Sequence, residues 1–272
     1  MKSLKESIFD DVSTISSSDT VIIEPFLNDN YKIDGSYTIN EDNTVDVDGT
    51  VKVKNKNIKS LTNGAFRFGI VQGNFYCARC EALKSLKGAP REVSGNFECN
   101  NCKTLKSLEG APEKVGGNFY CSNCIRLTSL EGAPKEVGGS FYCDSCPELK
   151  SLEGAPEKVG VGFHCYGCPK LVSLKGAPEE VEWFDCSKCD NLVSLKGVPT
   201  EVGKSFWCCG CSKLASLEGA PEMVGLDFDC SDCPNLISLK GAPKKVGRKF
   251  DCSGCENLQI TDQDRKKYKI SY

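Results

Sequence analysis

The sequence predicts a repeat solenoid in which short parallel strands stack along one axis, and two recurring blocks of residues predict it. The hexapeptide Ser-Leu-(Lys/Glu)-Gly-Ala-Pro first occurs at Ser85 and returns every 22 residues, except for one spacing of 21 residues between Ser173 and Ser194. Between its copies lies Phe-x-Cys-x-x-Cys-x-x-Leu, which occurs nine times from Phe75 to Leu258. A fixed period of this length is typical of stacked structural repeats.

Each 22-residue unit is expected to form one short strand and one return arc. Residues 119–121, Phe-Tyr-Cys, fit the inward, outward, inward alternation of a strand. Leu127 and Leu130 follow at a turn, and residues 132–134, Gly-Ala-Pro, prevent a long helix after them. Neither piece can bury its apolar side alone, so neighbouring units must stack into one continuous core.

The pattern resembles the leucine-rich repeat, whose consensus reads L-x-x-L-x-L-x-x-(N or C)-x-L. Phe119 takes the second apolar place, Cys121 the third, Cys124 the Asn/Cys place and Leu127 the last. The resemblance extends from Phe75 to Leu258, and the short arc is most similar to the compact repeats of bacterial and phage-encoded proteins. It implies a curved solenoid with a parallel β-sheet on the concave face, short irregular return arcs and a role as a recognition scaffold.

One spacing departs from that family. Val115 lies four residues before Phe119, one residue more than the family spacing, whereas the segment 181–184, Val-Glu-Trp-Phe, lacks the extra residue. The start of the strand is therefore expected to vary along the solenoid.

Three segments are predicted: an N-terminal helix and β cap over residues 1–44, the solenoid over 45–258, and a C-terminal cap over 259–272. The solenoid would contain one degenerate 11-residue repeat, at residues 51–61, before the nine repeats with paired cysteines.

Within the N-terminal cap, alternating residues at 31–33, 37–39 and 45–47 predict small antiparallel strands separated at Asp34-Gly35. A short docking helix is predicted ahead of them, with its apolar face formed by Leu4, Ile8, Val12 and Ile15.

The cysteine pairs allow two interpretations. C-x-x-C pairs separated by 18 residues fit a zinc site with four thiolate ligands. The residues of that alternative are Cys77, Cys80, Cys99, Cys102, Cys121, Cys124, Cys143 and Cys146. The favoured interpretation is structural, because nine pairs is an odd number and every paired cysteine occupies a core position of the repeat. The first cysteine would then be a small inward hydrophobe, and the second would donate its S–H to an unpaired backbone carbonyl.

Composition argues against several classes of function. With 34 Lys and Arg against 37 Asp and Glu, the formal charge is −3, which offers no positive field for nucleic acid. The apolar runs, such as residues 21–23, are too short for a membrane span, so neither a membrane span nor a signal peptide is expected. A chain with 19 cysteines and no export signal is expected in the reducing cytoplasm.

We expect no enzyme activity and no cofactor, since the single histidine, His164, has no periodic nucleophile beside it.

The outward positions that vary between repeats predict where function lies. Their aromatic centre comprises Tyr120, Tyr142, His164, Tyr166, Trp183 and Trp207. Acidic residues follow towards the C-terminus at Asp185, Asp229 and Asp251. Flanking outward columns include Asn74, Asn96 and Asn118 on one side and Asp144 and Cys209 on the other. Exposed aromatics are typical of protein-binding hot spots, and acidic residues favour a partner with a basic segment. Part of this aromatic column could instead be structural, because rings on adjacent strands stabilise one another.

Overall fold

The computed structural model describes the backbone of residues 17–270 and the side chains of residues 21–270. It is a parallel β-solenoid of about nine turns with a repeat near 22 residues, which confirms the predicted repeat solenoid. The docking helix predicted at Leu4, Ile8, Val12 and Ile15 lies outside the described residues.

One row of strands contains the phenylalanine of each repeat. These Phe strands are β4 (Phe75–Tyr76), β6 (Phe97–Glu98), β8 (Phe119–Tyr120), β10 (Phe141–Tyr142), β12 (Gly162–His164), β16 (Phe228–Asp229) and β18 (Phe250–Asp251). They pair in parallel and in register, so that Phe119 lies beside both Phe97 and Phe141. The buried rings stack along the axis with centroids 5.1–5.5 Å apart.

A second row of strands precedes the first and explains the extra residue before each phenylalanine. These Val strands are β3 (Arg67–Val71), β5 (Glu92–Val93), β7 (Lys114–Val115), β9 (Glu136–Val137), β11 (Lys158–Val159), β15 (Met223–Val224) and β17 (Lys245–Val246). In most repeats a bend separates the two rows. At Gly116 a Cβ would lie 2.3 Å from the carbonyl oxygen of Ser94, so the close approach of neighbouring bends requires glycine.

Two repeats merge the rows into single strands, β13 (Val181–Asp185) and β14 (Glu201–Trp207). The merging strand β13 is the one that lacks the extra residue. Its pairing with β14 contains a register shift between Val181 and Trp183. The missing residue thus changes the pairing of the sheet locally and leaves the phenylalanine column intact, because Phe184 still pairs with Phe163 and Phe206.

The N-terminal cap consists of α1 (Ser17–Asn30), β1 (Tyr31–Ile39) and β2 (Thr44–Val53). β1 and β2 form the predicted antiparallel pair, and β2 continues into the solenoid, where Val51 pairs with Phe75. The predicted break at Asp34-Gly35 is wrong. Gly35 lies opposite Gly49 inside one continuous ladder, where a Cβ on Gly35 would lie 2.1 Å from the Asp48 carbonyl oxygen. These glycines permit a close strand approach and do not end a strand.

The C-terminal end is covered by α2 (Asp262–Tyr268), whose N-terminus carries a capping box formed by Thr261 and Asp264. The ring of Tyr268 lies 4.2 Å from that of Phe250 and so extends the phenylalanine column by one ring. Its hydroxyl donates a hydrogen bond to the carbonyl oxygen of Pro243 at 2.8 Å.

Candidate functional site

The second cysteine of eight repeats donates its S–H to the carbonyl oxygen of the first cysteine one repeat earlier, which confirms the predicted structural role. The Sγ–O distances are 3.1–3.5 Å. Both cysteines of the central repeats are buried, and all described cysteines are free thiols. These thiols satisfy backbone acceptors that directly follow the Phe strands and that receive no other backbone donor among the described residues.

Burial raises the pKa of central cysteines of both columns. It raises the pKa of Cys99 and Cys121 well above the ordinary value and that of Cys124 to about 11. Within residues 17–270, no group of three or more His, Cys, Asp or Glu side chains is placed to hold a metal ion. The alternative of a zinc array therefore gains no supporting geometry from the eight cysteines proposed for it.

The outward side chains of the Phe strands and their immediate neighbours form one surface, here called the strand face. Its middle column contains a stack of three aromatic rings. Tyr120 and Tyr142 have centroids 4.8 Å apart, and Tyr142 and His164 have centroids 4.6 Å apart, with all three rings nearly parallel. Since the rings cover one another's faces, they present their edges and polar atoms to solvent.

His164 lies at one end of that stack and leans across the neighbouring column. Position 162 is glycine, where a Cβ would lie 2.6 Å from His164 Nε2, so Gly162 makes room for the imidazole. Burial lowers the pKa of His164, and the nearby carboxylate of Asp185 opposes this effect. The stack therefore ends in a neutral imidazole at pH 7.

Both tryptophans of the chain also lie half-buried on the strand face. The Nζ of Lys204 lies 4.1 Å from the ring centroid of Trp183 and 3.0 Å from Glu182 Oε2. Trp207 lies between Asp185 and Asp229 on the two adjacent strands. The cation over Trp183 was not predicted, because Lys204 belongs to the next repeat and to no repeated motif.

The acidic residues of the strand face have a structural role besides their charge. Asp185 and Asp229 each accept a hydrogen bond from the backbone N–H two residues later, at 2.9 Å, and Asp251 does the same at 3.1 Å. Such bonds close the turn after the strand. Lys249 partly neutralises Asp251 through a 2.5 Å contact. The carboxylates of Asp185 and Asp229 form no ion pair among the described residues, so the negative charge of the face is concentrated beside Trp207.

Three asparagines of one flanking column, predicted as outward residues, are half-buried and have a structural role as well. The Oδ1 atoms of Asn74, Asn96 and Asn118 accept the backbone N–H at the equivalent position of the next repeat, at 2.7–2.8 Å. Asparagine returning every 22 residues was the signal in the sequence. These side chains form an inter-repeat ladder and are committed to holding the repeats together.

The opposite flanking column contains Asp144 and Tyr166. Asp144 accepts the backbone N–H of Tyr166 at 3.0 Å, and burial raises the pKa of its carboxyl group to about 6. The Nζ of Lys188 lies 5.5 Å from the ring centroid of Tyr166. Cys209 is half-buried in this column, in agreement with its predicted outward position.

The chain matches no family model, no curated protein and no solved structure. No helix within residues 17–270 is both long and apolar enough to span a membrane. The resemblance to leucine-rich repeats thus rests on the residue pattern alone, whereas the solenoid rests on the strand register.

Proposed function

We propose that this chain is a non-enzymatic leucine-rich-repeat scaffold of the short bacterial or phage type that binds another protein through its strand face. The observation that carries the proposal is the half-buried stack of Tyr120, Tyr142 and His164, which shares the strand face with the half-buried Trp183 and Trp207. Such rings lose little conformational freedom on binding, which favours their use as contact residues.

The charge distribution of the strand face supports a partner with a basic segment. Asp185 and Asp229 flank Trp207 and lack a neutralising cation among the described residues, so an incoming lysine or arginine would find both a carboxylate and an aromatic ring. Binding of nucleic acid is disfavoured, because phosphate groups would meet these carboxylates.

The thiol chemistry supports a reducing compartment such as the cytoplasm. Eight second cysteines act as S–H donors to buried carbonyl oxygens, and oxidation would remove these donors.

The test uses a random peptide library displayed on phage and panned against the reduced, folded chain. Selected peptides should bind Trp183→Ala/Trp207→Ala at least about 30-fold more weakly than wild type, which corresponds to the loss of one hot spot. Val172→Ala/Val193→Ala is the matched control, because both valines are exposed apolar residues of the return arcs. Selected peptides that bind the tryptophan variant as tightly as wild type would contradict the proposal.

A further inference from the structure

The ladder of Val strands is interrupted at one place in the solenoid. Equivalent valines pair from Val71 to Val159 and again from Val181 to Val246, but no ladder pair joins Val159 to Val181 in the described part of the chain. Val159 and Val181 are 5 % and 7 % exposed, whereas Val115 and Val202 are 0 % and 2 % exposed. The interruption lies at the 21-residue repeat, where one residue before Phe184 is missing.

The backbone hydrogen bonds of the adjoining return arc are also interrupted at this repeat. In five repeats the N–H after the proline donates to the preceding repeat, as from Glu113 to Arg91 at 2.8 Å and from Glu222 to Thr200 at 2.7 Å, whereas at the Pro156 repeat Lys158 donates to Lys135 at 3.2 Å. Within residues 17–270 no such bond runs from Glu179 or Glu180 to residue 157. The N–H of Glu182 bonds to the carbonyl oxygen of Val161 at 2.8 Å, whereas in a regular repeat the residue after the valine donates to the preceding valine, as from Gly138 to Val115 at 2.8 Å.

Two adjoining clefts open along this interruption, with volumes of about 610 and 710 Å³. They share Ala177, Pro178, Glu179 and Glu180, and together they form one groove across three return arcs. Half-buried Ala155, Ala177 and Val198 contribute apolar surface to the groove, beside exposed glutamate and threonine side chains.

The rim of the groove carries unpaired negative charge. Glu157, Glu179, Glu180 and Glu201 are exposed and form no ion pair among the described residues. Elsewhere many arc carboxylates are paired with a lysine one repeat away, as in Lys103–Glu81 at 2.6 Å and Lys170–Glu148 at 2.7 Å. The only cation that lines the groove is Lys158, which lies 3.5 Å from Glu136 outside it.

We propose that this groove is a second binding site, separate from the strand face, for an extended basic segment of a partner protein. Ala155, Ala177 and Val198 would contact the aliphatic stems of lysine or arginine, and the rim carboxylates would pair with their charged ends. The rim glutamates favour a basic ligand, and the interrupted pairing of the Val strands provides space for it.

The proposal is tested with a fluorescein-labelled peptide of three Lys-Ala units, and with a Glu-Ala peptide as the control ligand. Fluorescence anisotropy should show saturable binding of the Lys-Ala peptide alone. Affinity should fall as salt is raised from about 0.1 M to about 1 M, since the Debye length falls from about 10 Å to about 3 Å. Equal binding of both peptides, or no binding of either, would overturn the proposal.

Two variants locate the site. Glu179→Gln/Glu180→Gln should weaken binding about tenfold. Glu113→Gln/Glu131→Gln, which removes the same charge from exposed positions beside regular corners, should leave binding near the wild-type value. Equal losses in both would show a general charge effect and would overturn the groove as the site.

Insertion of one glycine between Val181 and Glu182 tests the shape of the groove independently of its charge. The insertion restores the 22-residue spacing and retains every glutamate, so it should close the clefts and abolish binding. Circular dichroism and urea unfolding check that this variant folds. Unchanged binding by a folded insertion variant would contradict the proposal.

Two further measurements distinguish binding in the groove from binding on the strand face and from self-association of the chain. The Lys-Ala peptide has no large side chain to fill a hot spot on the strand face, so its binding should depend on the groove. Trp183→Ala/Trp207→Ala should therefore bind it like wild type, and failure of one proposal leaves the other standing. Sedimentation velocity should show no self-association that depends on Glu179 and Glu180. Self-association lost in Glu179→Gln/Glu180→Gln would identify a second copy of the chain as the occupant and would overturn the assignment to a basic partner.

Discussion

The Sγ atom of Cys124 lies 3.3 Å from the carbonyl oxygen of Cys99, one repeat earlier along the solenoid. Cys99 is the inward residue that directly follows β6, and no backbone N–H of the described residues donates to its carbonyl oxygen. The thiol therefore supplies the hydrogen bond that the ladder cannot. Its repetition along the chain makes the cysteine column part of the backbone hydrogen-bonding of the fold.

Removal of one such donor should destabilise the solenoid. Cys124→Ala leaves the buried Cys99 carbonyl without a donor and is expected to lower the free energy of unfolding by about 1–3 kcal/mol. Cys124→Ser keeps an O–H donor and should lose less. Urea unfolding under reducing conditions measures both, with Cys209→Ala as the half-buried control, for which the expected change is within about 0.5 kcal/mol. Equal losses for the serine and alanine variants would contradict the role of the hydrogen bond.

The cysteines should hold no stoichiometric metal. Because burial raises the pKa of Cys99 and Cys121 well above the ordinary value, these thiols are poor ligands at neutral pH. Native mass spectrometry of the reduced protein should give the metal-free mass, and a chelator should leave the far-ultraviolet circular dichroism unchanged. About four zinc ions per chain, with unfolding on chelation, would support the four-thiolate alternative instead.

Asp144 should make stability fall as pH rises from about 4 to about 6. Burial raises the pKa of its carboxyl group from 3.8 to about 6, so the folded state binds more protons than the unfolded state in this range. Asp144→Asn should therefore become more stable relative to wild type across this range, by roughly 3 kcal/mol at most. The contribution of His164, whose pKa burial lowers, has the opposite sign and is common to both proteins. Urea unfolding at several pH values measures the difference, and parallel curves would contradict the assignment.

Tyr268 should stabilise the C-terminal end of the solenoid. Tyr268→Ala removes the ring stacked on Phe250 and is expected to cost about 2 kcal/mol, whereas Tyr268→Phe removes only the hydrogen bond to Pro243 and should cost about 1 kcal/mol. Hydrogen exchange should then increase in the last repeat and remain unchanged in the central repeats. Uniform exchange along the solenoid would show that the cap does not act locally.

Much of the solenoid could be predicted because one period fixes many residues at once. The inward positions of Phe119, Cys121 and Cys124 follow from strand alternation and stacking. The N-terminal helix α1 was not predicted, because Pro25 lies inside it and its amphipathic signal is limited to Ile23 and Leu27. The packing of those two side chains against the solenoid stabilises the helix. The helix lies outside the repeated part of the sequence, so the repeat pattern gives no information about it.

The candidate site was predictable in position but not in detail. Alternation placed Trp183 and Trp207 on the outward face, yet the ring-to-ring stacking of Tyr142 and His164 depends on side-chain rotamers. The 21-residue spacing was visible before Phe184. The sequence predicted a local shift of the strand but not the groove. The groove forms because the sheet keeps the phenylalanines in register and loses the pairing between Val159 and Val181.

Intrinsic fluorescence tests the central claim most directly, because both tryptophans of the chain lie on the strand face. A peptide selected by display against the folded chain is titrated while tryptophan emission and acrylamide quenching are recorded. The account predicts a saturable change in emission and reduced quenching, both lost in Trp207→Ala if that residue carries most of the contact. Saturable binding seen by calorimetry, with tryptophan emission and quenching unchanged, would place the contact elsewhere and contradict the strand face as the protein-binding surface.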